Sequence, residues 1–392
     1  MMIETRRHCP ACGGSRAELL QELFFAHETG SPLPERYRVC LCGGCGFVFD
    51  DVEADAGAFR QYYRTAAKYA MGNIAGAGGI SESDRKRYVA LLEFLRPFLR
   101  EEMSVADIGC GKGGQLRILR EHGFRNLYGV DASEKCVEFM RSLGMRAICS
   151  AREERPAGLR FALLVVSTIF EHLWDPTAAA MCLERNLNPG GLVCVEVPDA
   201  SRYRDFAHGV YYYFDMEHIN HFDRKSMEQL WNRAGFRAVA ARETVSEPVP
   251  GFPCPMLNML LARDASVSPP RYPAKCGDSV KAYIRAMRER ELRLGEIAVP
   301  QDGECFLWGA GAYAKWLIGN GKLEALRPAG IVDRNPNLQG KLVGCLPVLP
   351  PEQLMRHNRR KSTLLITSIL YARSIREQLL ADGWIGRIVD FF

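Results

Sequence analysis

Two pairs of cysteines near the start of the chain have the spacing of a metal site. A 29-residue insert separates them, and each pair is followed by glycine: Cys9 and Cys12, then Cys42 and Cys45. A C-x2-C turn directs two thiolates at one tetrahedral ion, and the glycines let backbone amides turn towards the sulfurs. The spacing predicts a structural Zn2+ held by four thiolates, with free surface thiols as the alternative. His8 and Cys40 are near enough in sequence to replace one ligand.

A glycine-rich turn in the middle of the chain predicts a binding site for a nucleoside cofactor. It follows an apolar strand at 104–108 and precedes a helix at 115–121, and its glycines bring the backbone close to a ligand: Gly109, Gly111 and Gly113. The next predicted strand ends in Asp131, 24 residues after Asp107. In a Rossmann-like unit this carboxylate accepts hydrogen bonds from ribose hydroxyls. Both NAD and S-adenosylmethionine (SAM) use such turns.

Two groups of acids and histidines follow the later predicted strands. The first comes after a strand at 161–167 and the second after a strand at 187–196: Glu171 and His172, then Glu217, His218 and His221. An extended loop would place Glu217 and His221 on one face, whereas a helical turn would place His218 beside His221. Either arrangement lets a carboxylate orient an imidazole for general acid–base chemistry.

Residues 56–100 are predicted helices that carry three tyrosines and a glycine-rich bend at 72–79. The tyrosines are Tyr62, Tyr63 and Tyr69. Aromatic side chains in such a segment commonly pack in a core. The bend that follows Tyr69 also makes this residue a candidate for a lid over a site.

Length, charge and hydropathy limit the class of protein. The 392 residues exceed what one core organises and suggest two or three domains. The net charge of +5 is spread along the chain without a basic run, so nucleic acid is not an expected partner. No apolar segment follows the charged residues 1–7, and the longest apolar stretch, 161–170, is too short to span a bilayer. We expect a soluble, cytoplasmic protein with reduced thiols and no membrane partner.

The last third of the chain repeats the order of strand, glycine turn and helix. A proline-rich joint at 266–273 precedes it, and its turn has the pattern Gly309-x-Gly311-x-x-Ala314. Its second strand ends in Asp333. Such a turn can cradle a diphosphate. Three roles stay open for this unit, namely binding the nucleotide part of a substrate, binding NAD, or serving as a structural lid.

The Asp-x-Gly-x-Gly-x-Gly pattern at 107–113 resembles motif I of class I SAM methyltransferases more than a dinucleotide fingerprint. The strands at 161–167 and 187–196 fit the same family, and the resemblance covers about residues 80–265. Several SAM contacts are implied by the resemblance. The methionine end would contact Asp107, Gly109 and Gly111. The ribose would contact Asp131, and the adenine edge would contact Ser150 or Ala151.

The complete layout resembles the sugar C-methyltransferase family, which has an N-terminal zinc domain, a central SAM domain and a C-terminal Rossmann-like domain. Those enzymes methylate a carbon next to a ketone in nucleotide-linked deoxysugars, with a Glu-His pair and a nearby tyrosine and histidine. The matching positions in this chain are Glu217 and His218 for the pair, His172 after the fourth strand, and Tyr69 in the helical segment. Asp215 stands where the family has a tyrosine.

This chemistry needs a base for the proton beside the ketone and a hydrogen-bond donor for the enolate oxygen. We expect His218, oriented by Glu217, to be the base and His172 or a tyrosine to lie near the oxygen. His221 is a further candidate. An O- or N-methyltransferase with the same layout is the alternative within enzymes.

The prediction is a three-domain α/β enzyme that uses SAM and a structural zinc and acts on a small acceptor, such as a nucleotide-linked sugar. Its parts are a zinc-binding module (1–55), a helical lid or linker (56–100), a class I SAM-dependent methyltransferase domain (101–265) and a C-terminal Rossmann-like domain (274–392). A non-catalytic zinc-bearing binding protein is the alternative of another class. It predicts a degraded glycine turn or a missing ribose acid, and this sequence keeps both.

Overall fold

Three β-sheets organise the part of the chain that the structure describes. The computed structural model describes residues 1–65, 79, 81–150, 158–267, 276–294 and 303–390. Two predicted site residues, Tyr69 and Ala151, lie outside these ranges, as does nearly all of the glycine-rich bend. No helix within the ranges is long and apolar enough to cross a bilayer.

The first sheet is antiparallel and contains a strand from far along the chain. Its strands, in spatial order, are β1 (Met2–Glu4), β2 (Arg16–Phe24), β3 (Arg36–Cys42), β4 (Val48–Val52) and β10 (Asn220–His221). Strand β10 pairs with β4, so that Asn220 faces Phe49 and His221 faces Val48. The N-terminal sheet is therefore bonded directly to the segment that follows the Glu-His pair.

In the sequence, two of the described helices separate the last of the N-terminal strands, β4, from the first strand of the central sheet. They are α1 (Ala56–Thr65) and α2 (Glu82–Leu95). The Asp55 side chain accepts a hydrogen bond from the Ala58 amide, and the Ser81 hydroxyl accepts one from the Asp84 amide. These N-caps bind amides that a first helical turn leaves unbonded. The buried face of α2 packs on the central core through Tyr88, Leu91, Leu92 and Leu95.

The central sheet has seven strands in the order β11-β12-β9-β8-β5-β6-β7. They are β5 (Val105–Ile108), β6 (Leu127–Asp131), β7 (Arg146–Cys149), β8 (Phe161–Ser167), β9 (Leu187–Pro198), β11 (Phe236–Ser246) and β12 (Cys254–Arg263). Strands β5 to β9 in this sheet are parallel, and β11 and β12 are antiparallel additions. Its helices are α3 (Gly114–Glu121), α4 (Glu134–Ser142), α5 (Pro176–Glu184) and α6 (Arg224–Arg233). Buried apolar strands require cover on both faces, and this sheet confirms the predicted α/β class.

The third sheet has the order β15-β16-β14-β13-β17-β18 and is parallel except at the β15–β16 pair. Its strands are β13 (Cys305–Trp308), β14 (Gly330–Val332), β15 (Leu342–Val343), β16 (Leu346–Leu349), β17 (Thr363–Ile366) and β18 (Arg387–Asp390). Its helices are α7 (Cys276–Arg293), α8 (Ala312–Gly319), α9 (Pro351–Leu354) and α10 (Ala372–Ala381). The second strand–turn–helix unit predicted from the glycines is therefore present.

One cluster of buried side chains joins the first and third sheets to the segment after β9. It includes Leu23 and Tyr37 of the first sheet, Phe214, Tyr283 of α7 and Trp316 of α8. A second cluster packs Ala17 and Phe49 of the first sheet with Ile108 and Val195 of the central sheet. The three sheets are thus packed together rather than held only by linkers.

Candidate active site

The four cysteines predicted as metal ligands come together at one end of the first sheet. Their sulfur atoms all lie within 4.8 Å of one another, with Cys9 and Cys45 3.6 Å apart and Cys12 and Cys42 3.4 Å apart. Four Zn–S bonds of about 2.3 Å in a tetrahedron separate the sulfurs by about 3.8 Å, so this donor set fits a zinc ion.

Neither alternative ligand belongs to this group of described residues. Cys40 is fully buried within β3, and the His8 side chain is exposed. Gly13 and Gly46 have φ angles of +79° and +70°, which glycine adopts without steric cost and which close the two turns. The Gly44 amide donates to Cys42 Sγ over 3.4 Å, as a backbone amide does in a thiolate metal site.

The predicted cofactor turn runs from β5 into α3. Gly109, Gly111 and Gly113 all have positive φ, at +74°, +53° and +76°. The Gly111 amide donates to Asp131 Oδ2 over 2.8 Å, so the acid that ends β6 braces the turn. The Ser150 amide donates to the Asp131 carbonyl over 2.9 Å, which places Ser150 at the same edge of the sheet.

Asp107 lies in β5 and is almost fully buried, with 5% of its surface exposed. Burial, followed by repulsion from Asp131, raises the pKa of Asp107 to about 7. A nearby cation favours the ionised form of such a carboxyl. The sulfonium and ammonium charges of SAM supply such a cation, so this buried acid fits SAM better than it fits an anionic diphosphate.

An ion pair that sequence reasoning missed lies beside the same edge. Arg87 of α2 donates to Glu196 of β9 over 3.0 Å, and Ser167 donates to the same carboxylate oxygen over 2.5 Å. Glu196 is 2% exposed. The sequence does show an acid, Glu196, within an otherwise apolar strand. It does not identify the partner, because Arg87 is 109 residues away.

The acid–histidine groups after β8 and β9 meet, as the edge of a parallel sheet allows. The rings of His172 and His218 have centroids 4.7 Å apart, and His172 Nδ1 lies 3.1 Å from the Glu217 carbonyl. That contact requires the hydrogen to be on Nδ1, and Nε2 then points towards Glu171, 3.9 Å from its Oε1. The Glu217 carboxylate accepts a hydrogen bond of 2.8 Å from Tyr62.

This arrangement differs in detail from the predicted pair. The Glu217 carboxylate is hydrogen-bonded to Tyr62, and the Glu217 carbonyl contacts His172. His218 Nδ1 is a buried nitrogen without a hydrogen-bond partner among the described residues. Tyr63, whose ring lies 5.9 Å from that of His172, also borders the pair. The tyrosines of α1 therefore border the site, whereas Tyr69 is outside the described residues.

Asp215 sets the conformation of the turn that carries the pair. Its Oδ1 accepts hydrogen bonds from the amides of Glu217, over 2.7 Å, and His218, over 3.0 Å. Aspartate commonly closes a turn in this way. Asp215, which stands where the sugar C-methyltransferases have a tyrosine, is thus hydrogen-bonded to the backbone of both predicted catalytic residues of the pair.

His221 occupies a different environment from His218. It is fully buried in β10, with Nε2 3.3 Å from Asp50 Oδ1 and Nδ1 3.4 Å from the Tyr203 hydroxyl. Its ring also packs against Phe214 at 4.8 Å. These contacts are those of a core histidine that links the first sheet to the aromatic core, because pairing with β4 turns its side chain inward.

The comparisons with known proteins concern the central sheet. Residues 81–241 match the family model described as "Methyltransferase domain". No curated protein sequence matches the chain.

Several solved structures are similar to part of the chain. One is a SAM-dependent methyltransferase from Clostridium acetobutylicum, 13% identical, which covers 47% of this chain and 93% of its own with a TM-score of 0.37. Another, from Mesorhizobium loti, is 19% identical and covers 44% and 98% with a TM-score of 0.37. A possible histamine N-methyltransferase from Thermotoga maritima is 20% identical and covers 45% and 89% with a TM-score of 0.35.

The family match begins at α2 and ends in β11, and therefore contains the glycine turn, Asp107 and both histidines of the pair. The matched residues form a parallel, Rossmann-like sheet, and its glycine turn with the buried Asp107 suits a cationic nucleoside. The chain therefore contains a methyltransferase domain over residues 81–241, with the class I, Rossmann-like fold of SAM-dependent methyltransferases.

Proposed function

We propose that the protein methylates a carbon next to a ketone in a nucleotide-linked deoxysugar. The observation that carries this proposal is the placement of His172 and His218 with ring centroids 4.7 Å apart after two parallel strands. Two adjacent imidazoles can remove one proton and hold another, which is what enolate chemistry requires. The resemblance of the complete layout to sugar C-methyltransferases supports the choice of acceptor.

In this proposal His218 removes the proton from the carbon beside the ketone, and the electron pair of the broken C–H bond forms the enolate. His172, whose Nδ1–H is bound to the Glu217 carbonyl, acts in its protonated form, so that its Nε2–H donates to the enolate oxygen. Tyr62 fixes the Glu217 side chain, and Asp215 fixes the turn. When bound, SAM would supply an electrophilic methyl group, and Asp107 and the glycine turn are the residues that would bind and orient it.

A cavity next to the turn supports a binding role for the C-terminal sheet. It has a volume of about 170 Å³ and lies between the segment after β9 and the second glycine turn. Its lining includes Tyr211 and Asp215 from the first side and Gly311, Tyr313 and Thr367 from the second. An acceptor in this cavity would contact the residue that positions Glu217 and His218. We therefore propose that the third sheet binds part of the acceptor rather than NAD.

We also propose that the four-cysteine group binds a structural zinc ion and that the chain divides into the parts 1–55, 56–100, 101–265 and 274–392. The fit of the sulfur separations to tetrahedral Zn–S geometry supports the metal. The three sheets support the division, with the exception that β10 of the central part completes the first sheet.

The test is mass spectrometry of methyl transfer from SAM to a panel of nucleotide-linked 4-keto sugars, with exchange of the acidic carbon-bound hydrogen followed separately in deuterated water. The proposal predicts exchange and a methyl group on carbon. His218→Gln should remove both while leaving SAM affinity unchanged. His122→Gln, at an exposed position after α3, is the matched control.

Full exchange in His218→Gln would remove His218 from the mechanism. SAM binding without exchange or product on any sugar would direct the search to an O- or N-acceptor. Failure to bind SAM would instead favour a non-catalytic binding protein.

A further inference from the structure

A buried arginine of the N-terminal module lies between the two loops that carry the histidine pair. Arg7 is 4% exposed, and its guanidinium packs over the ring of Trp174 at 5.1 Å. Its nitrogens donate to the carbonyls of Leu173, Trp174 and Ile219 over 3.1, 2.7 and 2.9 Å. Two of these carbonyls directly follow the His172 turn, and the third belongs to the residue after His218. One side chain thus binds both loops.

Asn220 completes this link from the opposite side. Arg7 Nη2 donates to Asn220 Oδ1 over 2.7 Å. Asn220 Nδ2 donates in turn to the carbonyls of Phe170 and Leu173 over 2.9 and 2.7 Å. Asn220 is 1% exposed, so its amide works in a buried, water-poor environment where such bonds are strong. The two side chains form a continuous bridge from one loop to the other.

The first sheet holds the same turn at both ends, through one side chain and one backbone amide. The Tyr37 hydroxyl donates to the Met216 carbonyl over 3.1 Å, and the Asp50 amide donates to the Ile219 carbonyl over 3.0 Å. Strand β10 then pairs with β4. Cys9, one of the four cysteines, lies two residues after Arg7. Folding of the cysteine group is therefore connected to the position of the histidine pair through a short, hydrogen-bonded path.

We propose that Arg7 and Asn220 are positioning residues that set the separation of His172 and His218, and that the N-terminal module acts in the methyl-transfer step rather than in SAM binding. This inference rests on the proposed function for its effect on catalysis, but not for its effect on the histidine rings. The N-terminal module would then hold the two loops at a fixed separation, because it supplies a guanidinium that neither loop contains.

Arginine is suited to this task because its five donors lie in one plane and point to separate acceptors. In Arg7 they reach carbonyls on three chain segments, including that of Asp50 over 3.2 Å. A lysine ammonium would keep the charge but would bind only from a single point. Arg7→Lys should therefore preserve the fold while loosening the loops.

The experiment compares three variants of the whole chain, prepared with zinc in the buffer, with the unmodified chain. Arg7→Lys and Asn220→Ala each break the bridge, and Arg6→Lys is the control because Arg6 pairs with Glu53 on the surface. The first measurement is NMR of the imidazole nitrogens and carbons without any acceptor, with His172 and His218 assigned by substitution. Metal content and SAM affinity are measured on the same samples.

We expect the His172 and His218 ring signals to shift in both bridge variants and to stay unchanged in the control, with SAM affinity within about twofold throughout. With an accepted nucleotide-linked sugar, kcat should fall about 10- to 100-fold while the acceptor KM changes less than about threefold, as expected for a misplacement near 1 Å. Unshifted rings in both variants would overturn the inference. So would a joint loss of metal and SAM affinity, because the bridge would then only hold the fold. A panel without an accepted sugar would count against the proposed function, while the ring signals would still decide this inference.

Discussion

The affinity for SAM should increase as the pH rises from about 6 to about 8, because Asp107 is a buried acid whose pKa is raised. Burial raises the pKa of Asp107 to about 7, so the free protein holds a proton there at lower pH. A cationic ligand prefers the ionised carboxylate, and binding below the pKa must therefore expel this proton. The ionised fraction rises from roughly one tenth at pH 6 to roughly nine tenths at pH 8. The affinity should improve about tenfold, which is about 1.4 kcal/mol.

Calorimetry in two buffers with different ionisation enthalpies measures both the affinity and the protons released. Asp107→Asn is the matched comparison, because it keeps the shape of the side chain and removes its titration. The amino group of SAM also titrates in this range, and the difference between the two proteins isolates the part that belongs to Asp107. Equal pH dependence in both proteins, or weaker binding of SAM by the unmodified protein at the higher pH, would refute the reasoning.

Three further predictions concern the positions that hold the site. Cys42→Ser should abolish zinc binding at the proposed four-cysteine site and expose the amides of β3 and β4 to hydrogen exchange, since three thiolates no longer close the tetrahedron. Zinc content equal to that of the unmodified protein would contradict the proposed ligand set. Asp215→Ala should lower kcat about tenfold with unchanged SAM affinity, because two amides lose an acceptor worth about 1 kcal/mol each. Tyr62→Phe should lower kcat less, by a few-fold, since it removes one hydrogen bond to Glu217. Steady-state kinetics with an accepted acceptor tests both, and a change confined to SAM affinity would contradict them.

The features that could be predicted from the sequence depend on short spacing. The cysteine pairs, the strand that carries Asp107 and the glycine turn are each defined within a few residues, and local geometry determines what such a segment can form. The α/β class follows because several of these units occur in series. The proximity of His172 and His218 could also be predicted, since both residues follow parallel strands whose carboxyl ends lie at the same edge of the sheet.

The contacts that could not be predicted join segments far apart in sequence. Arg7 reaches Leu173 and Asn220 across 166 and 213 residues, and no periodicity in either segment identifies the partner. The same limit applies to His221. The sequence left open whether His221 shares a face with Glu217 or lies beside His218, whereas pairing of β10 with β4 places it in the aromatic core. A two-residue strand is too short to give a pattern, so only the folded chain shows its register.

Both Rossmann-like units hold their glycine turn with an acid at the end of the second strand, since Asp131 is the last residue of β6 and Asp333 directly follows β14. Asp131 accepts a hydrogen bond of 2.8 Å from the amide of Gly111, and Asp333 accepts one of 2.7 Å from the amide of Ala310, one position earlier in its own turn. In each unit the other carboxylate oxygen binds the amide two residues later. Turn amides near a core need acceptors whether or not a ribose is bound, so this acid alone does not identify a nucleoside site. The units differ two residues before the first glycine, where the first has the buried acid Asp107 and the second has the buried apolar Leu307. A cationic cofactor is favoured only where that carboxyl is present, and the charge of SAM therefore assigns it to the first unit.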